Sequence, residues 1–134
     1  MILIINTNGI QNSIYLYKNK KIQYEKSWKV VTNNRKDVLK QIDIILQINK
    51  ISLTKIKAII VYCGPGSLTS VRVGICIANT LAWTLNIPVF GIKGCKYNQN
   101  EIELKEIKII DEKNNKKNNY FFANPVKQFY TTSL

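Results

Sequence analysis

A chain of 134 residues and 15.4 kDa has the length of one domain, which excludes a large multidomain enzyme. With 46% hydrophobic and 21% charged residues it can bury a core, so disorder as the main state is excluded too. The formal charge of +12 raises nucleic acid as a partner, but Arg35 and Arg72 are the only arginines among 20 basic residues. Arg is the side chain whose planar fork suits phosphates and bases. Lys, Asn and Ile share AT-rich codons, and a biased genome accounts for the charge as well as an RNA partner does.

Other exclusions follow from single residue types. There is no histidine, so Ser-His-Asp and Cys-His catalysis and His-ligated metals are ruled out. Cys63, Cys76 and Cys95 are odd in number and lack CxxC spacing, which argues against a disulfide framework or structural zinc and for a reducing cytoplasm. No apolar run is read as approaching the roughly 18 residues of a membrane span, and Met1-Ile2-Leu3-Ile4-Ile5 lacks a basic leader. A cytoplasmic protein with no membrane contact is expected.

In chain order, the apolar run 2–6, the turn Thr7-Asn8-Gly9 and the β-formers 13–17 predict two strands. Asn19 marks a further turn. Residues 22–30 then alternate strictly, placing Ile22, Tyr24, Trp28 and Val30 with Lys26 on one face of a half-buried strand. From about Asn34 to Ile48 the period becomes helical, with Val38, Leu39, Ile42, Ile45 and Leu46 three and four apart and a cap near Asn33 or Asn34.

Residues 56–62 are nearly all apolar, as in a central strand covered on both faces. A second helix is expected from about Ser67 to Leu85, ending at Asn86 before Pro88, and Val89–Ile92 forms the next strand. Beyond Gly94 the chain turns polar. A strand over 107–111, a Lys/Asn loop and the aromatic run Tyr120-Phe121-Phe122 read as one hairpin and a tail. The sum is an α/β unit, a mixed sheet covered by helices.

The dense constellation is Gly64-Pro65-Gly66-Ser67-Leu68-Thr69-Ser70-Val71-Arg72-Val73-Gly74. Gly and Pro permit a sharp strand-to-helix turn, and Ser67 can cap a helix whose amino end attracts an anion, with Arg72 a turn in. The plain alternative is a tight turn and a capped helix. It is not a Walker loop, because the Lys and its glycine spacing are missing. Gly74, Ala78 and Ala82 lie four apart and form a small-residue groove, while Val73, Ile77 and Leu81 make a further stripe. The second helix then faces either its own core alone or a partner as well.

These residues, with Ala78, Leu81, Ala82 and Ile87-Pro88-Val89-Phe90-Gly91-Ile92 after them, resemble the signature of the bacterial tRNA threonylcarbamoyladenosine biosynthesis family TsaB. The resemblance spans roughly residues 1–95 and is specific over 64–92. It implies an actin-like ATPase (RNase H-like) lobe over 1–95, with a mixed five-stranded sheet and two main helices. Residues 96–134 would be a remnant of the second lobe. Gly64, Pro65, Gly66, Ser67, Thr69, Arg72 and Gly74 match the family motif.

The resemblance also implies a function. Such members are noncatalytic partners of a TsaD-like catalytic subunit, with a TsaE-like ATPase docking on the assembly and tRNA reached through the complex. Together they form threonylcarbamoyladenosine at position 37 of tRNAs reading codons that begin with A. No cofactor, metal or catalytic residue is expected in this chain. The interface with TsaD, or with a second copy, is expected at Leu39, Ile42, Leu46, Val71, Gly74, Ile75, Ala78, Ala82 and Leu85.

Two departures bear on this reading. The family's first strand ends Ile-Asp-Thr, whereas this chain has Ile5-Asn6-Thr7, and Asn is a poor magnesium ligand beside a carboxylate. A His common at the start of the first helix aligns with Asn34. Both suit a noncatalytic role. The rivals are a reduced actin-like kinase or peptidase, which needs a carboxylate at Asn6, and a basic nucleic-acid-binding module, which needs Arg and aromatics grouped on one face.

Overall fold

The computed structural model describes residues 1–7, 10–30 and 37–92. Five strands form one sheet: β1 (Ile2–Thr7), β2 (Gln11–Lys18), β3 (Lys21–Lys29), β4 (Ala58–Tyr62) and β5 (Val89–Ile92), in the order β3-β2-β1-β4-β5. β1 to β3 are antiparallel neighbours, while β4 and β5 add in parallel on the other side of β1. Parallel addition needs crossovers, and two helices supply them: α1 (Val38–Ile48) between β3 and β4, and α2 (Leu68–Leu85) between β4 and β5. The second-lobe remnant over 96–134 and its strands at 107–111 and 120–122 lie outside the described residues.

Both helices cover the same face. Leu3, Ile5, Ile14, Leu16, Ile59 and Val61 point toward them and share one apolar cluster with Val38, Ile42 and Ile45 of α1 and Val71, Ile75 and Ala78 of α2. Strand alternation sends Ile2, Ile4, Tyr15, Tyr17, Ala58, Ile60 and Ile92 to the opposite face, where they form a second cluster to which neither helix contributes. Burying apolar area at roughly 25 cal/mol per Å² makes the two layers the main source of stability.

Local chemistry sets the ends of the elements. Asn19 and Lys20 at φ 54° and 64° close the β2–β3 hairpin with two left-handed residues, the pattern that matches strand twist. The cap of α1 is Asp37, whose carboxylate accepts the Leu39 amide at 2.9 Å, and not Asn33 or Asn34. Asn86 ends α2 in the left-handed region at φ 57°.

The strict alternation expected over 22–30 is broken. Leu16 pairs with Tyr24 but Tyr17 pairs with Ile22, so Gln23 is an extra residue and the register slips by one. Trp28 therefore packs in the helix-side cluster while Ile22 packs against the opposite one. Membrane-span length also needs a correction. α2 has 18 residues at mean hydropathy 1.3, enough for a crossing by length and composition. Its Val71, Ile75, Ala78 and Ala82 nevertheless lie in the cluster with the sheet, the contacts of a core helix.

Candidate functional site

The motif turn leaves the end of β4 and starts α2. Gly64 has φ 118°, a conformation closed to residues with a side chain, and it is followed by a cis peptide bond to Pro65. The turn is tied down on both sides. The Tyr62 hydroxyl donates to the Pro65 carbonyl at 2.8 Å, and the buried Cys63 donates from both its amide (2.9 Å) and its thiol (3.1 Å) to the Ile92 carbonyl. Ser67 occupies the N-cap position, but its hydroxyl makes no capping bond; its carbonyl accepts from Val71 at 2.9 Å. Thr69 and Arg72 are exposed on the first turns of α2.

Gly74 explains how closely α2 lies on the sheet. A Cβ there would collide with Thr7 Oγ1, and this same hydroxyl donates to the Ser70 carbonyl at 2.8 Å. The motif glycine thus serves a helix-on-strand contact inside the chain. Thr7 escapes sequence reading because nothing in Ile5-Asn6-Thr7 distinguishes a strand-end threonine that bonds a helix 63 residues away.

The expected partner residues divide accordingly. Val71 and Ala78 are fully buried, Ala82 and Ile75 nearly so, and Gly74 is buried, all against the chain's own sheet. The small-residue row therefore does not present a groove to a partner in this structure, because β1 and β4 already occupy it. Leu85 is half-buried and Leu39 is 49% exposed. Ile42 and Leu46 are core residues on one side, yet they also line a groove of about 530 Å³ between α1 and α2, together with Leu39, Ile51, Leu53 and Leu81.

The outward side of α2 was the part that the small-residue pattern hid. Leu68, Val73 and Trp83 are exposed at 47%, 43% and 82%, with Ile77 and Leu81 half-buried beside them. The signal was present: Trp83 stands off the row of 71, 75, 78 and 82, so no core position was waiting for it. A tryptophan left in water on a helix is a common mark of a contact surface.

A second hollow of about 200 Å³ lies where the ends of β1, β2 and β3 meet the starts of both helices, with Thr7, Asn12, Asp37, Thr69 and Ser70 in its wall. Asn12 Oδ1 is buried without a hydrogen-bond partner among the described residues. Asn6, one residue before Thr7, is 1% exposed and alternation puts it on the sheet face away from the helices. Among the described residues no three metal-ligating side chains come together.

Comparison with known proteins agrees with the geometry. A family model described as TsaD, tRNA N6-adenosine threonylcarbamoyltransferase, matches residues 29–110. The tRNA threonylcarbamoyladenosine biosynthesis protein TsaB of Buchnera aphidicola is 35% identical over 92 residues, which cover 69% of this chain and 43% of that protein. TsaB of Bacillus subtilis is 53% identical over 34 residues, 25% of this chain and 15% of that protein. The chain thus matches these relatives over less than half of their length. The structure of YeaZ from Pseudomonas aeruginosa superposes with a TM-score of 0.60 at 24% identity, over 69% of this chain and 42% of that one, and shares the fold. An actin-like, RNase H-like lobe with the Gly64–Gly74 turn in place makes this chain a TsaB-like member of the tRNA N6-adenosine threonylcarbamoyltransferase family.

Proposed function

We propose that the chain takes part in threonylcarbamoyladenosine formation in tRNA as a noncatalytic subunit, with a TsaD-type catalytic subunit docking on the outer sides of α1 and α2. The observation that carries this reading is Trp83, 82% exposed on a helix that also exposes Leu68 and Val73, in a chain whose relatives bear the TsaB name. The apolar groove at Leu39, Ile42, Leu46 and Leu81 continues the surface onto α1. Burying a few hundred Å² there would contribute several kcal/mol at roughly 25 cal/mol per Å² before the costs of association. A TsaE-type ATPase and tRNA would join through the complex, and a second copy of this chain would compete for the same face when the catalytic subunit is absent.

The test is co-elution and titration with the TsaD-type protein of the same cell. Trp83→Lys should weaken binding about 30-fold, the effect of a 2 kcal/mol hot spot, with the circular dichroism of the lobe unchanged. If Trp83→Lys and Leu39→Asp both bind as well as the parent chain, the partner sits elsewhere. The enzyme reading is tested separately. Asn6 is neutral where magnesium needs a carboxylate, so the purified chain should not turn over ATP. Magnesium-dependent turnover that disappears in Asn6→Ala would make it an enzyme.

A further inference from the structure

The β2–β3 hairpin keeps its acidic and basic side chains on opposite faces. Directly paired residues of an antiparallel pair share a face, and Ile14 and Leu16 of β2 belong to the helix-side cluster. Their partners Lys26 and Tyr24 therefore lie on that side, and Lys18 with its partner Lys21 continues the row toward the turn. Glu25 instead pairs with Tyr15 of the opposite cluster and accepts from the Ser27 hydroxyl. It is the one acid in residues 1–36, so the helix-side row of the hairpin holds lysines and no carboxylate.

The register slip at Gln23 creates this row. With strict alternation Ile22 would join Tyr24 and Lys26, and Lys21 would share the face of Glu25. The extra residue reverses both, sending Ile22 to the opposite cluster and Lys21 to the lysine row. Gln23 also ties the hairpin across, its Nε2 donating to the Lys18 carbonyl at 2.9 Å. Lys18 and Lys21 are exposed, Lys26 is half-buried, and Tyr24 among them is 39% exposed. Lysines along an edge strand guard it against pairing with another sheet. That role accounts for Lys21 and Lys26 on β3, but not for Lys18 on the inner strand β2 or for an open aromatic ring in the same row.

Phosphates meet lysines as point charges, and a ring held among the lysines offers a stacking surface to an unpaired base. We propose that the hairpin face formed by Lys18, Lys21, Tyr24 and Lys26 binds RNA, with the lysines on backbone phosphates and Tyr24 on an exposed base. Strand pairing thus gathers into one row lysines that the sequence scatters. No arginine belongs to the row, so it holds charge and a ring plane without reading base edges. That the RNA is a tRNA rests on the function proposed above. The row lies on strands, so RNA there does not compete with a protein partner on the outer sides of α1 and α2.

Binding of the full chain to an unmodified tRNA transcript, followed by fluorescence anisotropy across a salt series, tests it. The triple variant Lys18→Gln, Lys21→Gln, Lys26→Gln should flatten the slope of log K against log salt by about 3 and weaken binding about 30-fold at low salt. Lys50→Gln, Lys55→Gln, Lys57→Gln removes the same charge from exposed positions elsewhere and should change the slope by less than about 1. Tyr24→Leu should weaken binding about fivefold at an unchanged slope, and Tyr24→Phe should restore it. If the first triple variant unfolds, Lys21→Gln alone is measured, with a slope change of about 1 expected. Equal effects of the two triples would mean that net charge alone acts, and would overturn the proposal. So would tight binding retained in a hairpin variant that self-associates, or poly-glutamate or phosphatidylserine vesicles bound as tightly as the transcript. The two readings fail separately: transcript binding through the hairpin without co-elution with the TsaD-type protein keeps this inference and loses the proposed function, and co-elution without hairpin binding does the reverse.

Discussion

The two faces of the sheet are built from the same strands and nearly the same residue types, yet they pose different problems. The helix side holds α2 at a distance set by one missing side chain, Gly74 over Thr7. The opposite side carries two tyrosines, Tyr15 and Tyr17, and a polar margin in which Ser13 and Ser27 share a hydrogen bond of 3.0 Å and Ser27 donates to Glu25 at 3.2 Å. Close packing on one side makes volume the sensitive variable. On the other side the sensitive variable is access of water to phenols.

The helix side should therefore break on added volume. Ala78 is fully buried against the sheet, so Ala78→Leu forces three further carbon atoms into a filled layer. We expect a loss of about 3 kcal/mol, at the upper end of overpacking costs, and unfolding at lower denaturant concentration with the slope unchanged. An Ala78→Leu chain that keeps its midpoint would mean that α2 can lift off the sheet.

Gly74→Ala is the smaller version of the same test. Its Cβ meets Thr7 Oγ1, and relieving the collision disturbs the bond from Thr7 to the Ser70 carbonyl. The net cost should be about 2 kcal/mol, despite the better helix propensity of Ala. Thr7→Ala removes the obstructing hydroxyl, so Gly74→Ala should cost clearly less in that background. Additive costs would show that the two residues do not meet.

How much of this was readable beforehand depends on what each pattern encodes. The strand and helix order follows from period alone, and the turn at Gly64-Pro65-Gly66 from its residue types. The slip at Gln23 does not, because a bulge is visible only as pairing between Leu16–Tyr24 and Tyr17–Ile22, and a single strand carries no register. The cap at Asp37 was legible: it directly precedes Val38, the first apolar residue of the helical period, whereas Asn33 and Asn34 stand several residues earlier. Small residues on α2 indicated close approach correctly but not by what. Spacing of Gly74, Ala78 and Ala82 is the same whether the neighbour is a strand of this chain or a helix of another.

The tyrosine side should respond to pH. Burial pushes the Tyr15 phenol above its ordinary value of 10.0, with the nearby Glu25 charge adding to the rise and a hydrogen bond with Ser13 opposing it. Below pH 10 the phenol is neutral whether the chain is folded or not, so it contributes no pH dependence there. Above that value the unfolded chain releases the proton while the folded chain still holds it, and stability must fall as pH rises toward the folded value. Tyr15→Phe keeps the ring and removes the ionisation. The variant should match the parent in slope below pH 10 and lose stability less steeply above it, measured by denaturant melts at paired pH values. Lysines that titrate in the same range are common to both chains and cancel in the difference. Identical slopes for parent and variant would mean that water reaches Tyr15 in the folded state, and the contrast between the two faces would be lost.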